Sequence, residues 1–241
     1  MSMIVKGILV ALLSALGGIA AIVVRPFDPT RSGFHWIPRT WSKLVLKLFG
    51  ISVDVRGAEH VQPGRPYVYV ANHSSYFDIP AAVYGIPDRI HIVYKKELHR
   101  VPFFGWGLKW GSDYIAIDRG RGPKAAESLE QAAKKIKGGK SVLLFAEGTR
   151  TSDGKLQPFK RGAFNLAVRA GVPVVPVAIS GSYRILPRHS WRVRPGAIRL
   201  FIDKPIEIRR DGKDEELKLM DEVHAVIEKY YGSSEASDSG A

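Results

Sequence analysis

The sequence predicts an α/β fold: a mixed, largely parallel sheet flanked by helices, preceded by an N-terminal membrane-associated helix pair. Three observations predict it. Residues 7–24 carry no charge. After Gly50, segments that alternate every second residue take turns with segments of helical spacing. Residues 141–146 are almost wholly apolar, as a strand covered on both faces must be. Strands and helices in alternation pack as layers around one sheet.

The first helix is expected over residues 7–24, with Lys6 before it and Arg25-Pro26 ending it. An apolar helix of this length just reaches across the hydrocarbon of a bilayer. A secretory signal peptide has a similar layout, since Lys6, an apolar stretch and small residues near Ala20 and Ala21 would serve it too. The run is long for a signal and the next segment stays apolar, which favours an anchor. That next segment, between Trp36 and Phe49, repeats Ile37, Trp41, Leu44, Val45 and Leu48 at helical spacing. Arg39, Lys43 and Lys47 form a second stripe. A basic amphipathic helix with two tryptophans suits a membrane interface, with the rings at headgroup depth; an ordinary surface helix is the alternative.

Ile51, Val53 and Val55 alternate as a half-buried strand, and residues 67–71 form a second. A helix follows around residues 77–84, then strands at 90–94 and 114–117. From 124 to 137, Ala125, Ala126, Leu129, Ala132, Ala133 and Ile136 share one helical face, stopped by Gly138-Gly139. After the strand at 141–146 comes a helix at 164–170 closed by Gly171. Residues 172–180 and 198–208 contain further strands, and Pro173, Pro176 and Pro205 argue for interruptions or edge positions. The last helix should bury Leu217, Met220, Val223, Val226, Ile227 and Tyr230. The expected division is membrane-anchoring helices over 1–50, an α/β domain over 51–231 and a disordered polar tail over 232–241.

Composition narrows the chemistry. With 36 Lys plus Arg against 23 Asp plus Glu, the chain carries +13 and suits a polyanionic partner. No basic helix-turn-helix or aromatic RNA-binding pattern is present, so nucleic acid is not the expected partner. The absence of cysteine removes disulfides, thiolate metal sites and a cysteine nucleophile. There is no Gly-x-Ser-x-Gly elbow and no His-Glu-x-x-His, so neither an acyl-enzyme nor a metal is expected.

Two loops leave strands with reactive side chains. Residues 67–71 run into Asn72-His73-Ser74-Ser75-Tyr76-Phe77-Asp78, and α/β proteins place sites at such strand ends. With His73 in the loop and Asp78 in the first helical turn the two can meet, and a carboxylate on Nδ1–H leaves Nε2 as a base. The spacing equally admits Asp78 as a helix cap, with Ser75 at the N-cap, beside an incidental histidine. The second loop, Glu147-Gly148-Thr149-Arg150, leaves the buried strand with a carboxylate, a hydroxyl and a guanidinium, a possible clamp for phosphate and hydroxyls. A surface Glu–Arg pair is its bland counterpart. Downstream, Lys155, Lys160 and Arg161 add cations near an expected helix N-terminus.

Asn72-His73 with Asp78, Glu147-Gly148-Thr149-Arg150 and the run Val172-Pro173-Val174-Val175-Pro176-Val177, in this order, resemble the glycerolipid acyltransferases. Within that group the chain looks like the bacterial 1-acyl-glycerol-3-phosphate acyltransferases. Ile117-Asp118-Arg119 and the segment from Phe159 to Phe164 match the same family. The resemblance implies His73 as general base and Asp78 as its orienting partner. It implies that Arg119 and Arg150 bind the acceptor's phosphate, with Lys160 nearby, and that Glu147, Gly148 and Thr149 shape the glycerol site. The donor would be acyl-CoA or acyl carrier protein, the acceptor lysophosphatidic acid, the setting the cytoplasmic face of the inner (plasma) membrane, with no cofactor. Another acceptor (glycerol 3-phosphate, a lyso-ornithine lipid, another lysophospholipid) or a non-catalytic lipid-binding protein are the rival expectations. Asp113, Ala116 and Ala146 depart from the family's usual residues at their positions.

Overall fold

The computed structural model describes residues 2–28, 35–118, 123–209 and 212–238. In chain order the elements are α1 (Met3–Val24), α2 (Trp36–Phe49), β1 (Ile51–Arg56), β2 (Val68–Ala71), α3 (Asp78–Gly85), β3 (Ile90–Lys95), α4 (Phe104–Trp106), β4 (Ile115–Ile117) and α5 (Pro123–Lys137). They continue with β5 (Ser141–Phe145), α6 (Gly162–Ala170), β6 (Val174–Ser180), α7 (Ser182–Ile185), β7 (Gly196–Ile202) and α8 (Lys213–Asp238). The strands form a seven-stranded sheet in the order β1-β7-β6-β2-β5-β3-β4. All neighbours are parallel except β6 and β7. The expected fold class is the observed one.

Side chains alternate between the two faces. Tyr67, Tyr69 and Ala71 join Val175, Val177, Ile179, Ile198 and Leu200 in one core, beneath α2 and α3. Val68, Val70, Val142 and Val174 join the other, beneath α5, α6 and α8. Central β2, β5 and β6 are therefore apolar on both faces, and β2 pairs with β5 on one side and β6 on the other. Ala71 stands opposite Phe145, so the loops leaving β2 and β5 emerge side by side at one end of the sheet.

One expectation is met at a proline, and one, the inner face of α8, needs correction. Pro176 lies inside β6 opposite Val70, and on its other side it marks the expected interruption, in the pairing of β6 with β7. Its carbonyl accepts from Asp203 N–H at 3.0 Å but it has no N–H to return, so the antiparallel ladder stops at Val177–Ile202 and pairing resumes at Val174–Ile206, one residue out of register. In α8 the buried stripe is Leu219, Val223, Ile227 and Tyr231, while Leu217 is exposed. Polar anchors set that rotation: Glu216 accepts from Arg161 and Asn165, each at 2.6 Å. The helix α8 runs to Asp238.

The N-terminal helices pack on the domain. Along α1, Lys6 lies over the Phe49 ring at 5.1 Å, and Ser14 accepts from the indole N–H of Trp41 at 3.1 Å. Arg25, just past the helix, donates to the carbonyl of Trp110. Trp41, expected at headgroup depth, thus faces α1, and Trp36 alone of the two is exposed. Small residues allow the closest approach: a Cβ on Gly107 would fall 2.4 Å from Gly18 Cα. The opposite side of α1 leaves Ile4, Ile8, Leu12, Leu16, Ile19 and Val23 exposed as one stripe. Helix and turn together, Met3–Phe27, are long and apolar enough to cross a membrane.

Candidate active site

Asn72 ends β2 by extending its pairing through a side chain. Its amide donates to Ile179 C=O at 2.8 Å and accepts from Ile179 N–H at 2.7 Å. The chain then turns out and presents His73. His73 N–H donates to Glu147 Oε1 at 2.6 Å, and Thr151 N–H donates to His73 C=O at 2.9 Å, which ties the two loops together.

His73 Nδ1 lies 2.8 Å from Asp78 Oδ2. The same oxygen accepts from the N–H groups of Ser74 at 2.7 Å and Ser75 at 2.8 Å. An ionised carboxylate there makes Nδ1 the protonated nitrogen and leaves the Nε2 lone pair outward. Phe145 stacks on the imidazole, 4.0 Å between centroids, and fixes its plane. The Asp78 side chain is fully buried, whereas 15% of the His73 side chain remains exposed, so a substrate can reach the ring. Both sequence alternatives hold in part: Asp78 opens α3 and holds backbone donors, and it also holds the histidine. Ser75 is not the N-cap; its hydroxyl accepts from Phe77 N–H at 3.3 Å and donates to Leu186 C=O at 3.0 Å.

Glu147 is buried and receives a second N–H, from Gln157 at 3.3 Å. Burial pushes its carboxyl up to about 7, although the His73 and Gln157 N–H groups act the other way. Gly148 has a left-handed φ of 72°, and a Cβ there would meet Lys160 Cδ at 2.9 Å, so the lysine stem lies across the glycine. Thr149 and Lys160 are exposed. The Arg150 guanidinium sits 3.6 Å over the Tyr76 ring, which brings it beside the His73 loop. Arg119 lies outside the described residues. Among the described residues no cluster of His, Asp and Glu fits a metal ion.

Sequence reading missed the neighbouring cavity. A space of about 310 Å³ opens between α1, α2, α3 and the segment 104–111, walled by Gly17, Trp41, Tyr76, Ile79, Leu108 and others, nearly all apolar. Tyr76 and Ile79 come from the loop and helix that carry His73 and Asp78. Gly17-Gly18 within the apolar run was the available signal, since small residues there imply close helix contact. Tyr231 was also missed: its hydroxyl donates to Gly154 C=O and lies 3.2 Å from the Ser74 hydroxyl, tying α8 to the His73 loop.

A protein-family model described as Acyltransferase matches residues 52–180, which include both loops. The chain belongs to the acyltransferase family. Two curated acyltransferases named 1-acyl-sn-glycerol-3-phosphate acyltransferase are similar to it over most of their length. The Pseudomonas aeruginosa protein is 35% identical over 81% of this chain and 76% of its own. The Haemophilus influenzae protein is 32% identical over 90% of this chain and 88% of its own. The chain spans only 61% of the chloroplastic relative from Brassica napus, at 32% identity. Among solved acyltransferases, the 1-acyl-sn-glycerophosphate (LPA) acyltransferase PlsC from Thermotoga maritima superposes with a TM-score of 0.74 and 27% identity. That match covers 96% of this chain and 98% of the other.

Proposed function

We propose that this protein transfers a fatty acyl chain from an acyl thioester, acyl-CoA or acyl carrier protein, to the sn-2 hydroxyl of 1-acyl-glycerol 3-phosphate, giving phosphatidic acid for phospholipid synthesis. The observation that carries the reading is the His73–Asp78 contact at 2.8 Å, standing between a cationic loop and an apolar cavity. The names of the bacterial relatives support the same reaction.

His73 Nε2 takes the hydroxyl proton while the oxygen attacks the thioester carbonyl. The tetrahedral intermediate then breaks its C–S bond, and the thiolate takes the proton from the imidazolium. General-base catalysis of this kind supplies about 10² to 10⁴-fold, and positioning supplies the rest. Arg150 and Lys160, with Arg119, are the residues for the acceptor's phosphate. Glu147, Gly148 and Thr149 shape the space for its glycerol. The cavity beside Tyr76 and Ile79 takes an acyl chain.

An amphiphilic acceptor that partitions into bilayers, and a two-chain product that stays there, call for membrane contact. The segment that packs on α1 at Gly18 exposes Phe103, Trp106 and Trp110 as well. Because α1 is docked from Lys6 to Arg25, the reading is of a helix lying in the membrane surface on the cytoplasmic face of the inner membrane, with helices 1–50 as anchor and 51–231 as catalytic domain.

The test is an assay of purified protein with lysophosphatidic acid in micelles, offered acyl-CoA and acyl carrier protein donors in parallel. Phosphatidic acid detected by mass spectrometry is the expected product. Preferred acylation of glycerol 3-phosphate or another lysolipid would reassign the acceptor, and no product with any pair would remove the enzyme reading.

A further inference from the structure

Between Ser182 and Ile202 the chain has five arginines, 184, 188, 192, 194 and 199, and no aspartate or glutamate. The segment from Leu186 to Val193 is a closed excursion: Arg194 N–H donates to Ile185 C=O at 2.9 Å across its base. Inside it, Ser190 N–H donates to Pro187 C=O at 3.1 Å, and Arg192 N–H to the Ser190 hydroxyl at 3.1 Å. At the tip stands Trp191, 93% exposed, more than any other large apolar side chain among the described residues. At the base, Arg184, Arg194 and Arg199 line a cavity of about 400 Å³.

We propose that this loop is a second membrane anchor, which takes the phosphates of anionic phospholipids on its arginines and sets Trp191 at headgroup depth. A bare indole between guanidinium groups suits the boundary between water, phosphate and hydrocarbon. Its place in the fold favours lipid over an acidic protein. Gly196 N–H donates to Gly50 C=O at 3.3 Å, directly after α2, and Val193 packs against the core that holds Leu46 and Phe49. Lys6 of α1 reaches that same Phe49. The loop and the N-terminal part of α1 therefore both border the core around Phe49, so two membrane contacts would lie at the same end of the domain.

The loop also touches the site. Leu186 C=O accepts from the Ser75 hydroxyl at 3.0 Å, and Arg188 donates to Arg150 C=O at 3.1 Å. Seating the loop on lipid holds the His73 opening at the surface where the acceptor lies. The inference rests on the acceptor being presented in a bilayer.

The experiment compares sedimentation of the full chain with vesicles of phosphatidylcholine alone and with added phosphatidylglycerol, for wild type, Trp191→Ala and the double variant Arg192→Gln/Arg194→Gln. The double variant should lose roughly fivefold in affinity per arginine, on the anionic vesicles only. Trp191→Ala should weaken binding to both. Turnover of micellar lysophosphatidic acid should stay at the wild-type rate in each. Wild-type affinity of both variants for anionic vesicles overturns the proposal. So does a loss confined to turnover with an acyl carrier protein donor, which would make the loop a docking surface for an acidic protein. Micellar turnover reads acyl transfer and sedimentation reads the anchor, so either reading can fail without the other.

Discussion

Asp78 Oδ2 holds the His73 imidazole at 2.8 Å and, with the same atom, the N–H groups of Ser74 and Ser75. One buried carboxylate oxygen thus shapes the loop and sets the tautomer of the base. Asp78→Asn keeps the size of the side chain and removes the charge that orients the ring. Turnover should fall by about 10² to 10⁴-fold, as for loss of general-base assistance, with little change in KM. Steady-state kinetics check this, and a rate within a factor of a few of wild type would mean the contact is only structural.

Glu147 should impose a pH dependence on stability. Burial raises its carboxyl to about 7 in the folded protein from an ordinary 4.5, so the folded state binds more protons across that window. Stability attributable to this group is then present at low pH and is lost as pH rises towards about 7. Glu147→Gln keeps an acceptor for His73 N–H and cannot titrate. Denaturant unfolding from pH 4 to pH 8 should show the variant gaining on wild type with rising pH, an equal slope in both being the contrary result.

Arg150 is held by its face on Tyr76 at 3.6 Å. Lysine keeps the charge but not the planar stacking or the two-pronged grip on phosphate. Arg150→Lys should raise KM for lysophosphatidic acid about tenfold or more and change kcat less. An unchanged KM would place the phosphate elsewhere.

Gly17 lines the cavity, and a Cβ added there meets only Ile37 Cγ2, at 3.7 Å. Gly17→Leu should therefore fit and occupy acyl space. Competition between donors of graded chain length should show preference moving to shorter chains, while an unmoved preference would separate this cavity from the acyl chain.

Much of this was legible from residues alone, for identifiable reasons. The strands at 67–71 and 141–146 declared themselves because central parallel strands are apolar on both faces. The two loops followed from where those runs stop. That β2 and β5 are neighbours was not legible, since pairing between strands some seventy residues apart leaves no local mark, yet it is what joins His73 to Glu147. The cavity was invisible because its walls come from four helical segments, each of which reads as ordinary core. Trp41 was legible as apolar but not as a partner for Ser14. Arg188, Arg192 and Arg194 entered the sequence reading only within the net charge of +13, and it is the Leu186 and Gly196 contacts that place them in the fold.

The most direct test of the account is the rate of phosphatidic acid formation by His73→Ala beside wild type, with the thermal unfolding midpoint measured for both. The account predicts a loss of about 10² to 10⁴-fold at an unchanged midpoint. Equal rates in the two proteins would contradict it.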